Sequence, residues 1–460
     1  MRNRGVTIPF EFITFPEALF YLLVYLPRSH ALQKLPAPGT NLSIQERRDL
    51  FDTCCNSVPD MEHFLRTWFK GAAMHEIRRD DLKEWLAWGF WNEYSASKVA
   101  DQAELEEYAL AVEKRLGRKL KEGRGPHQPV RPSSDPINIQ HRPLAYYIFG
   151  VGSLDTLMFI NMWRCGLQHY PVSGYFRSFP YRPLTTLCAE YSVAKDLSYF
   201  YRAHISNDRM PLLFLHGIGI GLRTYTDFFA DLVELNNKNG SHDQIGILAI
   251  EIMPISFRLT SQTLRRQEMV RQIRQILGHH GWDKQRFVLA AHSYGTVIAT
   301  HMLHDPLISP RIGPVVLADP ISLWVQMGDV AHNFTARVPK SASEIQLHYF
   351  ACTDIGAAHA VTRRFTWTEN VLFKTEMKRR QFGIVLGGRD IIMAAGRCRD
   401  YIFKDFAAHE ISSDSFKGGE IVRTKEMEML WFDGLNHAEA FVFREERQKV
   451  VDMVWRYCCG

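Results

Sequence analysis

The stretch Arg286-Phe-Val-Leu-Ala-Ala-His-Ser-Tyr-Gly295 decides the fold. Its first half, Arg286 to Ala291, is a short apolar run that reads as a buried strand. Gly295 to His304, with Val297, Ile298, Met302 and Leu303, reads as a helix. Ser293 then stands in the turn between strand and helix. A turn this sharp forces its central residue into a strained backbone conformation and lifts the side chain clear of the sheet. Strand and helix can approach closely only if the residues two before and two after the serine are small, and Ala291 and Gly295 meet that need. The commonest form of the motif has Gly where Ala291 stands; alanine is sterically acceptable there.

Upstream, Pro211-Leu-Leu-Phe-Leu-His216 reads as a fully buried strand, and His216-Gly-Ile-Gly219 follows at its C-terminal end. Open α/β sheets place their ligand sites at such ends. Glycines there let backbone N–H groups face a developing negative charge. The expected donors are the N–H of Ile218, with Gly219 as the near alternative, and the N–H of Tyr294 just after the serine. Such donors are each worth ~2.7–4 kcal/mol in a transition state. Downstream, Met427 to Phe432 reads as a strand, and the loop Asp433-Gly-Leu-Asn-His437 opens a C-terminal helix. Among 19 histidines, position singles out His437, after the final strand, as a base able to fall back over Ser293. Two carboxylates compete to orient it. Phe382 to Leu386 reads as a strand followed by Gly387-Gly-Arg-Asp390, and Val315 to Ala318 leads into Asp319-Pro320. Asp390 is preferred, because Asp-Pro also has a ready structural reading as a turn starter.

Leu215-His-Gly-Ile-Gly219, Glu251-Ile-Met-Pro-Ile-Ser256, Ala291-His-Ser-Tyr-Gly295, Gly387-Gly-Arg-Asp390 and His437 together resemble the α/β-hydrolase fold superfamily, over roughly residues 187 to 460. The loop His216 to Gly221, the Asp319-Pro320 turn and the N-terminal helical region further resemble a group of poorly characterised fungal α/β hydrolases. The resemblance implies a mostly parallel sheet flanked by helices and a serine mechanism with Ser293, His437 and Asp390. It implies no substrate. Met253-Pro-Ile-Ser stands where relatives usually carry a Gly-rich turn.

Four segments are expected. Residues 1–40 are apolar and punctuated by proline. Residues 41–142 hold a helical region, opened by the capping box Ser43-x-x-Glu46, and a linker rich in Gly and Pro after Gly117. Met61, Phe64, Leu65, Trp68 and Phe69 recur there at helical spacing and read as core or docking residues. Residues 143–186 form an apolar helix and an approach to the sheet, and 187–460 the hydrolase domain. A helix is expected from Gln262 to His280. From about 321 to 381 the strand and helix alternation breaks, and Trp324, Phe334, Tyr349, Phe350, Phe365, Trp367 and Phe373 suit a lid as well as a packed helix pair.

A chain of 460 residues that is 46% hydrophobic and 23% charged is an ordinary globular composition, and a net charge of +5 demands no nucleic acid. No cofactor is implied. The eight cysteines show no C-x-x-C, which fits free thiols in an intracellular, reducing compartment. His301-x-x-His304 lacks a third ligand, so no metal is expected. Residues 18–27 are too short to span a bilayer, which needs about 20 apolar residues. Leu144 to Trp163 reaches that length with Asp155 as its only charge, so membrane association is expected of the full chain. The function expected is cleavage of a carboxylic ester, apolar or lipid-like. An acyltransferase of the same mechanism and a catalytically silent binding protein on the same scaffold are the alternatives.

Overall fold

The computed structural model describes residues 10–36, 42–174, 177–238, 243–406 and 408–460. A ten-stranded sheet forms its centre. In chain order the strands are β1 (Gln168–Tyr170), β2 (Ser198–Arg202), β3 (Leu212–Leu215), β4 (Ile247–Glu251), β5 (Phe287–His292), β6 (Ile312–Ala318), β7 (Phe382–Gly387), β8 (Ser412–Phe416), β9 (Gly419–Arg423) and β10 (Met427–Phe432). Their spatial order is β1-β2-β4-β3-β5-β6-β7-β10-β9-β8. From β4 to β10 every neighbouring pair is parallel, whereas β1, β2, β8 and β9 pair antiparallel at the two edges. The buried centre explains the unbroken apolar runs of β3, β5 and β6: a strand covered by helices on both faces has no solvent side to mark with polar residues. β8 is exposed along most of its length and shows no such run.

The reversal between β4 and β3 leaves a crevice at the C-terminal ends of β3 and β5, where open α/β sheets bind ligands. Crossover helices cover the faces. Among them, Arg266–His279 buries Val270, Ile273 and Ile276. It starts four residues later than the periodicity suggests, so Leu264 packs on the core from the segment before the helix. The edge strand β1 lies inside the segment expected to be only an approach to the sheet.

The N-terminal helical region is present, with the capping box of Ser43 and Glu46 opening the helix Ile44–Ser57. Its helix Met61–Trp68 packs on Gly328–Thr335 of the 321–381 insertion. A Cβ at Gly328 would stand 2.5 Å from the Trp68 nitrogen, so only glycine allows that approach. Trp68 Nε1 donates to the Gln326 carbonyl at 3.1 Å. The insertion is thus clamped between the N-terminal helices and the sheet. It holds the helices Gly328–Thr335, Ala342–Leu347, Ile355–Arg363 and Trp367–Asn370.

Among the described residues, no helix is long and apolar enough to cross a membrane. This corrects the spanning reading of 144–163. The segment divides into π-helical Tyr146–Val151 and the helix Gly152–Arg164, and it is docked on the domain through Asp155, which is buried against Arg182 and Arg258.

Candidate active site

The serine turn forms as its small neighbours require. Ser293 has φ 51° and ψ −120°, a conformation that L-residues rarely adopt and that the surrounding structure must enforce. A Cβ on Gly295 would lie 2.3 Å from the Leu215 carbonyl oxygen, so the helix can sit this close to β3 only because that residue is glycine. Gly217 is equally constrained, since a Cβ there would meet the Ser293 Cβ at 2.8 Å.

His437 follows β10 and reaches back across the sheet ends. Its Nε2 is 2.8 Å from Ser293 Oγ, and its Nδ1 is 2.7 Å from Asp390 Oδ2. In its neutral form the imidazole donates Nδ1–H to Asp390, which leaves Nε2 unprotonated and able to accept the serine proton. The other Asp390 oxygen accepts from the N–H groups of Ile392 and Met393, at 2.7 and 3.1 Å, and so the carboxylate is held by its own turn. Burial opposes a charged imidazole at His437. The Asp390 charge and its hydrogen bond, with Asp319 adding to them, outweigh that and raise the His437 pKa to about 9.

Asp319, the rival acid, is buried with φ 42° and does not bond the His437 ring. Its Oδ2 accepts from the Ala438 N–H at 2.7 Å, and its Oδ1 from the Gly387 N–H at 3.3 Å. It ties the base loop to the end of β7. Behind it, His292 Nε2 is 3.4 Å from Asp319 Oδ2, and Tyr225 Oη donates to His292 Nδ1 at 2.7 Å while accepting from the Gly217 N–H at 3.1 Å. Tyr225 and His292 thus lead from the glycine loop toward Asp319 beneath the serine, the last step being a 3.4 Å approach that is not a hydrogen bond. Tyr225 and His292 carried no sequence signal for this role.

Of the expected oxyanion donors, the Gly219 N–H is spent on the Ile255 carbonyl at 3.1 Å, which removes the near alternative. The Ile218 side chain lines the same cavity as Ser293. Tyr294 is the first residue of the helix, where backbone N–H groups have no intrahelical acceptor. His216 anchors the loop. Its Nε2 accepts from the Ile252 N–H at 2.8 Å and its Nδ1–H donates to the Gly217 carbonyl at 2.7 Å, and burial drives its pKa to about 4.

The serine and His437 open onto an apolar cavity of about 70 Å³. Val330, Phe334, Leu347, Ala351, Phe365 and Trp367 of the insertion line it, and Trp68, Trp88 and Pro132 complete it from the N-terminal region. The reading of the N-terminal aromatics as core therefore covers only part of their role, because Trp68 also walls the site, joined there by Trp88. No local pattern marks this, since the contacts join residues more than 200 positions apart.

His292, Asp319 and His437 bring possible ligand atoms within 4.8 Å of one another. Both nitrogens of His437, Nδ1 of His292 and both oxygens of Asp319 already have partners, so this cluster is a poor metal cage. His301 and His304 diverge, bonding Asn370 and Glu376 respectively.

The strand order, the parallel centre and the serine on its strand-to-helix turn define an α/β-hydrolase fold. No family model matches the sequence, and no curated protein matches it. Among solved structures, the chain is similar to a membrane phospholipase A described as a bacterial virulence factor, at 11% identity and a TM-score of 0.39, covering 68% of this chain and 92% of that one. It is also similar to carboxylesterase CesB from Bacillus subtilis (12% identity, TM-score 0.38, 67% and 99% covered). A third is naproxen esterase from Bacillus subtilis (12%, 0.37, 67% and 98%). Likeness of this degree says nothing of substrate.

Proposed function

We propose that the protein is a serine hydrolase that cleaves a carboxylic ester with an apolar acyl group. The observation that carries this reading is the relay from Ser293 Oγ through His437 to Asp390, at 2.8 and 2.7 Å, facing an apolar cavity. Ser293 Oγ attacks the ester carbonyl while its proton passes to His437 Nε2. The carbonyl oxygen becomes an oxyanion, for which the N–H groups of Ile218 and Tyr294 are the assigned donors. Collapse breaks the bond to the alcohol, which leaves with the His437 proton, and the acyl group stays on Ser293. Water, deprotonated by the same histidine, then releases the acid and restores the serine. Asp390 keeps the Nδ1 proton in place and stabilises the imidazolium that forms at each step.

The cavity supports the choice of acyl group, because its walls are aliphatic and aromatic and offer an acyl chain no polar partner. The solved structures that the chain matches lend no support to the fungal group, and that resemblance adds no substrate. The test is labelling with a fluorophosphonate together with turnover of p-nitrophenyl esters of increasing chain length. Labelling on Ser293, lost in Ser293→Ala with unchanged thermal unfolding, is the expected result. Undiminished ester turnover by Ser293→Ala would overturn the reading.

A further inference from the structure

Two helices of this chain are turned inside out. Phe10–Phe20, π-helical Tyr21–Tyr25 and Leu26–Leu32 follow one another without a break. Between Thr14 and Pro27 the only charge is Glu17, and it faces the protein, accepting from the Leu144 N–H at 2.7 Å and lying 3.3 Å from His141 Nε2. The outward side instead carries Phe15, Leu19, Leu22, Leu23 and Val24, exposed by 66, 41, 55, 69 and 40%. The segment Tyr146–Val151 with Gly152–Arg164 repeats the inversion. Its Asp155 is buried in ion pairs, while Ile148, Phe149, Leu157 and Trp163 are 43, 73, 48 and 72% exposed. A helix facing water carries its polar residues outside. At ~150–250 Å² per aromatic side chain, Phe15, Phe149 and Trp163 alone present roughly 300–500 Å², about the size of the largest patch on a typical monomer. The leucines enlarge it well beyond that.

The two outer faces adjoin. The Phe20 ring is 5.6 Å from Tyr147, so Leu19 to Leu23 and Ile148 to Phe149 flank one seam. The Tyr146 ring is in turn 6.5 Å from Phe350 of the insertion, and Phe350 and Ile345 are 44 and 55% exposed. The same short segment sends Leu347 and Ala351 into the cavity beside Ser293. One apolar surface therefore runs from the N-terminal helix to the cavity wall.

We propose that this face seats the protein on a lipid surface, with its outer side chains sunk into the boundary between headgroups and acyl chains. Neither helix can span the bilayer, and each has an apolar outer face of the kind that lies in its plane, with Arg164 at one end. Trp163 beside Arg164, and Tyr21, are the residue types that settle at the headgroup level. A protein partner would meet charged and polar groups around an apolar centre. Here Glu17 and Asp155 point the other way, and the exposed Arg164 stands at the very end of its helix. Seating is independent of the chemistry at Ser293, and it turns the insertion toward the lipid from which an apolar ester would come.

The test is flotation of the full chain with phosphatidylcholine vesicles, beside its mass in solution by light scattering. The full chain and Ser293→Ala should both float, and alkaline carbonate should release them. Leu23→Glu with Phe149→Glu changes only exposed positions. It should weaken vesicle binding by roughly a hundredfold, given the cost of withdrawing two large apolar side chains from lipid, while turnover of a short, water-soluble ester stays unchanged. Equal flotation of the double variant, resistance of the full chain to carbonate, or a dimer that the double variant dissociates without any vesicle binding would each overturn the proposal. Loss of ester turnover in Ser293→Ala with flotation intact bears on the hydrolase reading alone.

Discussion

Asp319 and Asp390 both act on His437, and replacing each with asparagine should separate their effects. A pKa raised to about 9 predicts that His437 carries both ring protons at neutral pH, and an imidazolium cannot accept the Ser293 proton. kcat/KM should therefore rise about tenfold per pH unit from pH 7 and level off near 9. An Asp319 oxygen lies within 4.8 Å of a His437 ring nitrogen without bonding it. At an effective dielectric of ~20, a charge at that distance is worth roughly 3 kcal/mol, about two pKa units, as a ceiling. Asp319→Asn should accordingly move the acid limb down by about one to two units and raise activity at pH 7 relative to the plateau. Asparagine tolerates the positive φ at this position. Asp390→Asn instead removes the acceptor of Nδ1–H, favours the wrong tautomer, and should lower the plateau kcat by about 10⁴, with the acid limb also moved down because the charge that most raises the His437 pKa is gone. Initial rates on a soluble ester across pH 6 to 10, with Tm recorded for each variant, measure both. An acid limb that stays in place in Asp319→Asn would refute the electrostatic reasoning. A greater loss of kcat in Asp319→Asn than in Asp390→Asn would move the orienting role to Asp319.

Gly295→Ala should lower Tm and abolish turnover together, because its Cβ would stand 2.3 Å from a backbone oxygen and overpacking costs ~1–3 kcal/mol or more; a Tm and turnover equal to wild type would contradict the close approach. Ala351→Phe fills the cavity wall and should depress turnover of long acyl esters at least tenfold while sparing acetate, which comparison of kcat/KM along an ester series checks. Burial drives the pKa of His216 to about 4, of His301 to about 3 and of His359 to about 4. A lowered folded-state pKa contributes stability that is present above the ordinary value near 6.5 and lost as pH falls toward 4, so the unfolding free energy should drop across that window by on the order of 2–3 kcal/mol for each such histidine, read as a lower urea midpoint. His437 works in the opposite sense: its raised pKa favours the folded state below 6.5, and that contribution fades as pH rises toward 9. Midpoints unchanged between pH 6.5 and 4.5 would show that these histidines do not titrate with unfolding.

What the chain determines locally, its sequence displays. A buried parallel strand must be apolar on both faces, a strand-to-helix turn must be flanked by small residues, and a helix start wants a capping side chain. Hence β3, β5, β6, β7 and β10, the Ser293 turn and the capping box of Ser43 were legible. Ser293, His437 and two candidate carboxylates were legible as well, because each stands at the C-terminal end of a strand or just after it. Which carboxylate meets the imidazole was left to tertiary structure: Asp319 and Asp390 follow adjacent strands, and only their backbone conformations aim one at His437 Nδ1 and the other at the Ala438 N–H. The cavity wall of Trp68, Trp88 and Pro132, and the outward turn of Leu22, Leu23 and Phe149, belong to the same class. Periodicity records that a helix has an apolar face and is silent on what that face meets, since the partner lies hundreds of residues away or outside the chain altogether.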